Sequence, residues 1–413
     1  MRLNHGLHLA YCTNIHRGET WRETIESLKT HALAVRERVC PQAPFAIGLR
    51  LSHRAARELS ERPALLEFRR WLDQNDCYVF TINGFPYGRF HGARIKEQVY
   101  APDWTSPERL AYTNLLFDLL AEILPAGLEG SVSTLPGSFK EFVAPASRRC
   151  ISSRTPAFKK LTGETPVPLL KVIRENLWRC VEHIAELSER TKRELHLGLE
   201  PEPLCLLENS SETIRFFDCL RGEHPRDPRL DEHLGVNYDT CHFAVEFEEP
   251  QSALSALAQH GIKISKIHLS SALKMRPTPE AREALAKFTD DVYLHQVAAR
   301  DASGKIKFFR DLPDALNSQP LTLNSQPASE WRMHFHVPLH SPAMPPFENT
   351  NDHLLGALDF LAADPNLCSH LEMETYTWEV LPPELKARSV VEQLAAEYDW
   401  TLARLAERGL ASR

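Results

Sequence analysis

Short β-prone runs alternate regularly with longer helix-patterned stretches, and this constrains the fold more than any other feature. Such alternation builds parallel sheets with crossover helices. Residues 7–13, 45–51, 78–82 and 130–134 read as the first four strands, and 195–200, 234–239 and 262–269 as the next three. Residues 331–337 and 370–376 read as two more. Helical patterns fill the gaps, over 19–39, 63–75, 167–191, 211–221 and 383–407. Another opens at Ser106-Pro107, with serine placed to cap and proline to start the first turn. Eight or nine strands in this rhythm predict a (β/α)8 TIM barrel. A doubly wound open sheet is the second choice, but neither GxGxxG nor GxxxxGK[ST] is present to support it.

A barrel with inserted loops accommodates all 413 residues as a single domain, 1–413. Insertions are expected at about 138–165, rich in Ser, Arg, Thr and Pro, and at about 290–330. In the second, two β-like runs flank Asp301–Gly304 and predict a hairpin, and LNSQP occurs twice, at 316–320 and 323–327. Composition excludes some function classes. Lys and Arg number 48 against 55 Asp and Glu, a net charge of −7, which argues against broad nucleic-acid binding. The nine cysteines include no CxxC pair, so a reducing cytoplasm is expected and a disulfide framework is not. The N-terminal segment lacks an apolar leader, and no apolar run is long enough to span a membrane.

Catalytic groups of such barrels sit at the C-terminal ends of strands. Side chains alternate along a strand, so the end of LHLGLEPEP turns Glu200 to the mouth, and GVNYDTCH does the same for Asp239 with His242 in the turn beyond. KISKIHLSS ends on His268. SHLEMETYTW places Glu372 and Glu374 on one face, Glu374 nearer the exit, and WRMHFHVPL places His334 and His336 together. Carboxylate oxygen and imidazole nitrogen recurring at successive strand ends suit Zn²⁺, Mn²⁺ or Co²⁺. In the loop NGFPYGRFHG, Asn83, Tyr87 and His91, with Lys96 just beyond, are candidates to grip a ligand or simply to pack over the barrel.

The order Glu, Asp-x-x-His, His, Glu on the late strands resembles the xylose isomerase-like barrel superfamily of sugar isomerases, sugar 3-epimerases and abasic-site endonucleases. That resemblance implies Glu200, Asp239, His268 and Glu374 as metal ligands and His242 as a substrate or second-metal group. His334 and His336 fall where some members carry Asp-x-His or Asp-x-Asp for a second metal. The strings LAYCTNIH, TINGFPYGRFHG, KEQVYAPDW, YLHQV, HFHVPL and ETYTWEVLP are similar to the EboE family of metabolite traffic proteins over nearly the whole chain.

Three activities are consistent with these residues. One is a metal-dependent isomerase or epimerase of a small polyhydroxylated or keto metabolite, with Glu200 and Glu374 moving the proton. Another is a metal-dependent hydrolase of phosphodiesters or abasic sites, which the acidic charge disfavours for DNA. The third is a binding protein that keeps the pocket to hold a metabolite.

Overall fold

In the computed structural model, the described residues are 1–91, 96–143, 166–318, 328–342, 344–380 and 388–412. Seven strands are laid down in chain order: β1 (His8–Cys12), β2 (Phe45–Arg50), β3 (Cys77–Asn83), β4 (Glu129–Thr134), β5 (Glu194–Leu199), β6 (Leu234–Asp239) and β7 (Lys263–Leu269). The chain then leaves the barrel for β8 (Ala272–Met275), β9 (Val297–Asp301), β10 (Ile306–Phe309), β11 (Ala328–His336) and β12 (Phe347–Asn349), and returns as β13 (His370–Met373). The barrel closes in the order β1-β13-β7-β6-β5-β4-β3-β2, every pair parallel. The TIM barrel read from the alternation is therefore the fold.

The alternation works because the helices cover the outer barrel face with apolar side chains. Pro107–Ile123 packs Leu116, Leu119 and Leu120 inward, and Ser106 caps it by accepting from the Glu108 N–H. At the closing helix the sequence and structure part by several residues. It runs Val390–Ala406, begun by a Ser389/Glu392 capping box, and 381–387 lie outside the described residues. Of the first expected insertion, 144–165 lie outside the described residues, as do 319–327, which hold most of the repeated LNSQP.

Residues 331–337 do not join the barrel. They belong to β11, the centre of an antiparallel sheet ordered β10-β9-β11-β8-β12. A period-two pattern identifies a strand, not the sheet it joins. The expected hairpin is β9 and β10, turning through Gly304 at φ +82°. The excursion from the barrel is wider than 290–330, because β8 and β12 belong to the same sheet. That sheet brings β11 to the barrel mouth, where a register shift between Met333 and His336 ends its regular pairing with β8.

Candidate metal centre and its chamber

The barrel ladder sets the height of each group. His268 lies level with Asp239 on β6 and with Glu372 on β13. Glu200 follows β5 and precedes Pro201, and Glu374 follows β13. Ligand atoms of Glu200, Asp239, His268 and Glu374 all fall within 4.8 Å of one another, and all four residues are buried. His268 Nδ1 is 2.9 Å from Glu200 Oε1, 3.2 Å from Glu374 Oε2 and 3.5 Å from Asp239 Oδ2.

Asp239 shows what the cluster lacks. It caps the helix Thr240–Val245, where its Oδ1 accepts from the N–H groups of Cys241 (2.7 Å) and His242 (3.0 Å) and from the Ser270 hydroxyl (2.7 Å). Its Oδ2 is buried with no hydrogen-bond partner. A buried carboxylate oxygen left unsatisfied is costly, and this one points to where two further carboxylates and an imidazole converge. The donor set therefore fits a divalent cation. Burial alone would lower the His268 pKa, and Lys266 pushes the same way, but Glu374 and Glu200 override both and raise it well above the usual imidazole range. The site attracts positive charge.

Below the cluster, inside the barrel, Glu372 is fully buried and is not a member of the four-residue group. Lys266 Nζ lies 2.6 Å from its Oε2, Asn83 Nδ2 donates to its Oε1 at 2.9 Å, and His268 Nε2 is 3.1 Å from Oε2. With Nδ1 facing the cluster, Nε2–H donates to Glu372, which orients the ring. Asn83 is held in this network, its Oδ1 accepting from Lys266 and Ser133. The network also explains Gly48. A Cβ added there would sit 1.8 Å from Glu372 Oε1. Gly48→Ala is expected to cost about 1–3 kcal/mol by overpacking, measured as a lowered denaturation midpoint at unchanged slope.

Beside the cluster, His242, His334 and His336 place their rings 4.6–5.6 Å apart. Asp239, His242 and His336 form one further donor group, and Glu202, His242 and His334 another. His336 Nε2 has no hydrogen-bond partner. The sequence reading missed Glu202 and Cys241, the latter grouped with His334 and His336. The Glu202 carboxyl accepts from the Tyr100 hydroxyl at 2.6 Å and from Cys205 Sγ at 3.8 Å, and burial raises its pKa to about 7. It lies past Pro201, beyond the strand whose alternation located Glu200; the repeated Glu-Pro of EPEP was the one signal available.

These groups open into a chamber lined by Glu200, Glu202, His242, His334 and Glu374 together with aromatic and aliphatic side chains. Asn83 is among the lining residues, whereas His91 stands behind them, with Nε2 2.7 Å from the Asn14 carbonyl and Nδ1 against the Tyr293 hydroxyl. Asn14 Nδ2 in turn donates to Glu374 Oε1 at 2.5 Å. Tyr87 stacks on His53, away from the chamber lining. No described helix is long and apolar enough to cross a membrane.

No family model and no curated protein matches the chain. Solved structures do. A xylose isomerase-like TIM barrel protein from Mycobacterium smegmatis, in complex with magnesium, aligns over 99% of both chains at 12% identity and TM-score 0.50. A putative sugar phosphate isomerase/epimerase from Anabaena variabilis aligns over 97% of this chain and 98% of its own, at 13% identity and TM-score 0.48. The IOLI protein with a bound zinc atom aligns over 97% and 98%, at 11% identity and TM-score 0.46. With its closed eight-stranded parallel barrel and this full-length match, the chain has the fold of the xylose isomerase-like TIM barrels.

Proposed function

We propose that the chain is a metal-dependent isomerase or epimerase of a small hydroxy-carbonyl metabolite, holding one divalent cation on Glu200, Asp239, His268 and Glu374. The buried Oδ2 of Asp239, which has no hydrogen bond and faces the convergence of two further carboxylates with His268 Nδ1 at 3.5 Å, carries this reading. Zn²⁺, Mn²⁺ and Co²⁺ suit one imidazole with three carboxylates. When bound, the ion supplies Lewis-acid polarisation of a substrate carbonyl.

The chain's own groups do the rest. Glu200, after β5, and Glu374, after β13, both line the chamber with an oxygen close to His268, and are placed to take a proton from the carbon next to the carbonyl and return it. Asn14 orients Glu374 through its amide. His242, whose Nδ1 is 3.0 Å from the Pro201 carbonyl, presents its other nitrogen toward Asp239, where it can meet a substrate oxygen. The resemblance to the EboE family adds a role in metabolite traffic to this reading.

The test is native mass spectrometry with elemental analysis of protein purified without chelator, joined to solvent-deuterium exchange over a panel of ketoses and hydroxyketones. One ion per chain and exchange into substrate are expected. Asp239→Asn should weaken metal binding by about 100-fold or more, since changes one shell further out already cost 10–100-fold. Turnover by metal-free Glu200→Gln protein would overturn the assignment. The further donor groups, which pair His242 with His334 beside Glu202 and with His336 beside Asp239, favour a second reading, a hydrolase with two ions. Two ions per chain without exchange would select it.

A further inference from the structure

Beyond its carboxylates and imidazoles, the chamber lining is, among the described residues, poor in groups that could receive a sugar. Phe85 and Phe90 come from the loop after β3, Val99 from the 3-10 turn Lys96–Tyr100, and Leu135 follows β4. Val292 and Leu294 come from the excursion that carries the antiparallel sheet. Phe90 packs between Tyr293 and Tyr376, with centroids 5.3 and 5.1 Å away, so the wall is continuous from barrel to excursion.

The polar groups in the same wall are already engaged. Asn83 and Ser133 bond each other and Lys266. The Tyr100 hydroxyl donates to Glu202, and the Tyr293 hydroxyl meets His91. Lys96, the one lysine lining the chamber among the described residues, directs its ammonium to the carbonyls of Asp290 (2.9 Å) and Tyr293 (2.7 Å) and to Asp311 Oδ2 (2.7 Å). All three of its donors are used, so none is left for a phosphate. The lining arginines number none among the described residues. Asn14 Oδ1 is the one buried lining oxygen of this wall without a partner. A polyol seated here would leave several hydroxyls buried and unpaired, each at a cost.

We infer that the substrate is amphipathic: a chelating head of adjacent carbonyl and hydroxyl oxygens, carried on an apolar body of aliphatic or aromatic carbon that lies along Phe85, Phe90, Val99, Val292 and Leu294. This rests on the proposed metal centre and narrows its substrate class from small hydroxy-carbonyl compounds in general.

Three hydroxamates share one chelating head and differ only in the body, which makes them suitable probes. Their affinities for the metal-loaded protein are measured by calorimetry. Benzohydroxamate is expected to bind at least about tenfold tighter than acetohydroxamate, from burial of the ring, and tighter than gluconohydroxamate. Leu294→Ser should remove most of that preference while leaving acetohydroxamate affinity and metal content unchanged. Phe90→Leu, which keeps the wall apolar, should retain it. Equal affinities, or tightest binding of gluconohydroxamate, overturn the apolar body and leave the metal centre standing. Failure of all three to bind, or of the protein to hold metal, overturns both.

Discussion

Lys266→Met is expected to destabilise the fold by about 3–5 kcal/mol, the cost of removing one partner of a buried ion pair. Lys266 and Glu372 are both fully buried inside the barrel, 2.6 Å apart. Burial alone would raise the Glu372 pKa, but Lys266 and then His268 hold it well below the usual carboxylate range, so the residue is charged in the folded state. Methionine matches the lysine stem in length and leaves that charge without its counter-ion. Because Asn83 and His268 are bonded to the same carboxylate, the loss reaches the metal centre as well. The double variant Lys266→Met/Glu372→Gln should recover most of the stability, since no uncompensated charge remains. It should still bind metal about 10–100-fold more weakly, because a neutral amide orients the His268 ring less strongly than a carboxylate. Denaturant titration and metal competition read the two effects separately. A cost under about 1 kcal/mol for the single variant would show that the pair does not organise the barrel interior.

The same pair marks the limit of what could be read before the structure. Alternation along SHLEMETYTW put Glu372 and Glu374 on one face correctly, and both do face inward. Glu374, read as the one nearer the exit, lines the chamber, and what stayed hidden is the partner of Glu372: Lys266, two residues before His268 on its strand. A lysine in a sequence ordinarily reads as solvent-facing. Glu200, Asp239 and His268 were easier because each lies within one residue of a strand's end, where periodicity and position agree. The antiparallel sheet was harder. β8 is separated from β7 by only Ser270 and Ser271, so the two strands look like one run, and β11 carries nothing in its own pattern that assigns it to β8 and β9 rather than to the barrel. The three-histidine group is a product of that tertiary placement, since His242 belongs to the barrel and His334 and His336 to the excursion.

The opposite end of the barrel carries a second large expected effect, one that pH reveals. His8 on β1 is 6% exposed, with Nδ1 2.7 Å from the Tyr78 hydroxyl and its ring against Phe80. Burial, reinforced by neighbouring positive charge, lowers its pKa to about 4. The folded chain therefore keeps His8 neutral at pH values where the unfolded chain, with an ordinary imidazole pKa near 6.5, takes up a proton. Stability from this group is complete above pH 6.5 and is lost as pH falls from 6.5 toward 4, by about 1.4 kcal/mol per pH unit and on the order of 3 kcal/mol in all. Other buried groups oppose it: burial raises the Glu397 pKa to about 7, so that carboxyl favours the folded state as pH falls through the same range. The clean measurement is therefore a difference. His8→Phe removes the titration and leaves every other group in place, so wild type minus variant should fall by about 1.4 kcal/mol for each pH unit between 6 and 4.5 in denaturant titrations. Stability rather than turnover is the quantity to follow, because the barrel floor lies at the far end of the strands from Glu200 and Glu374. A flat difference across that interval would mean that His8 is protonated equally in both states and that the floor tolerates a charged imidazole.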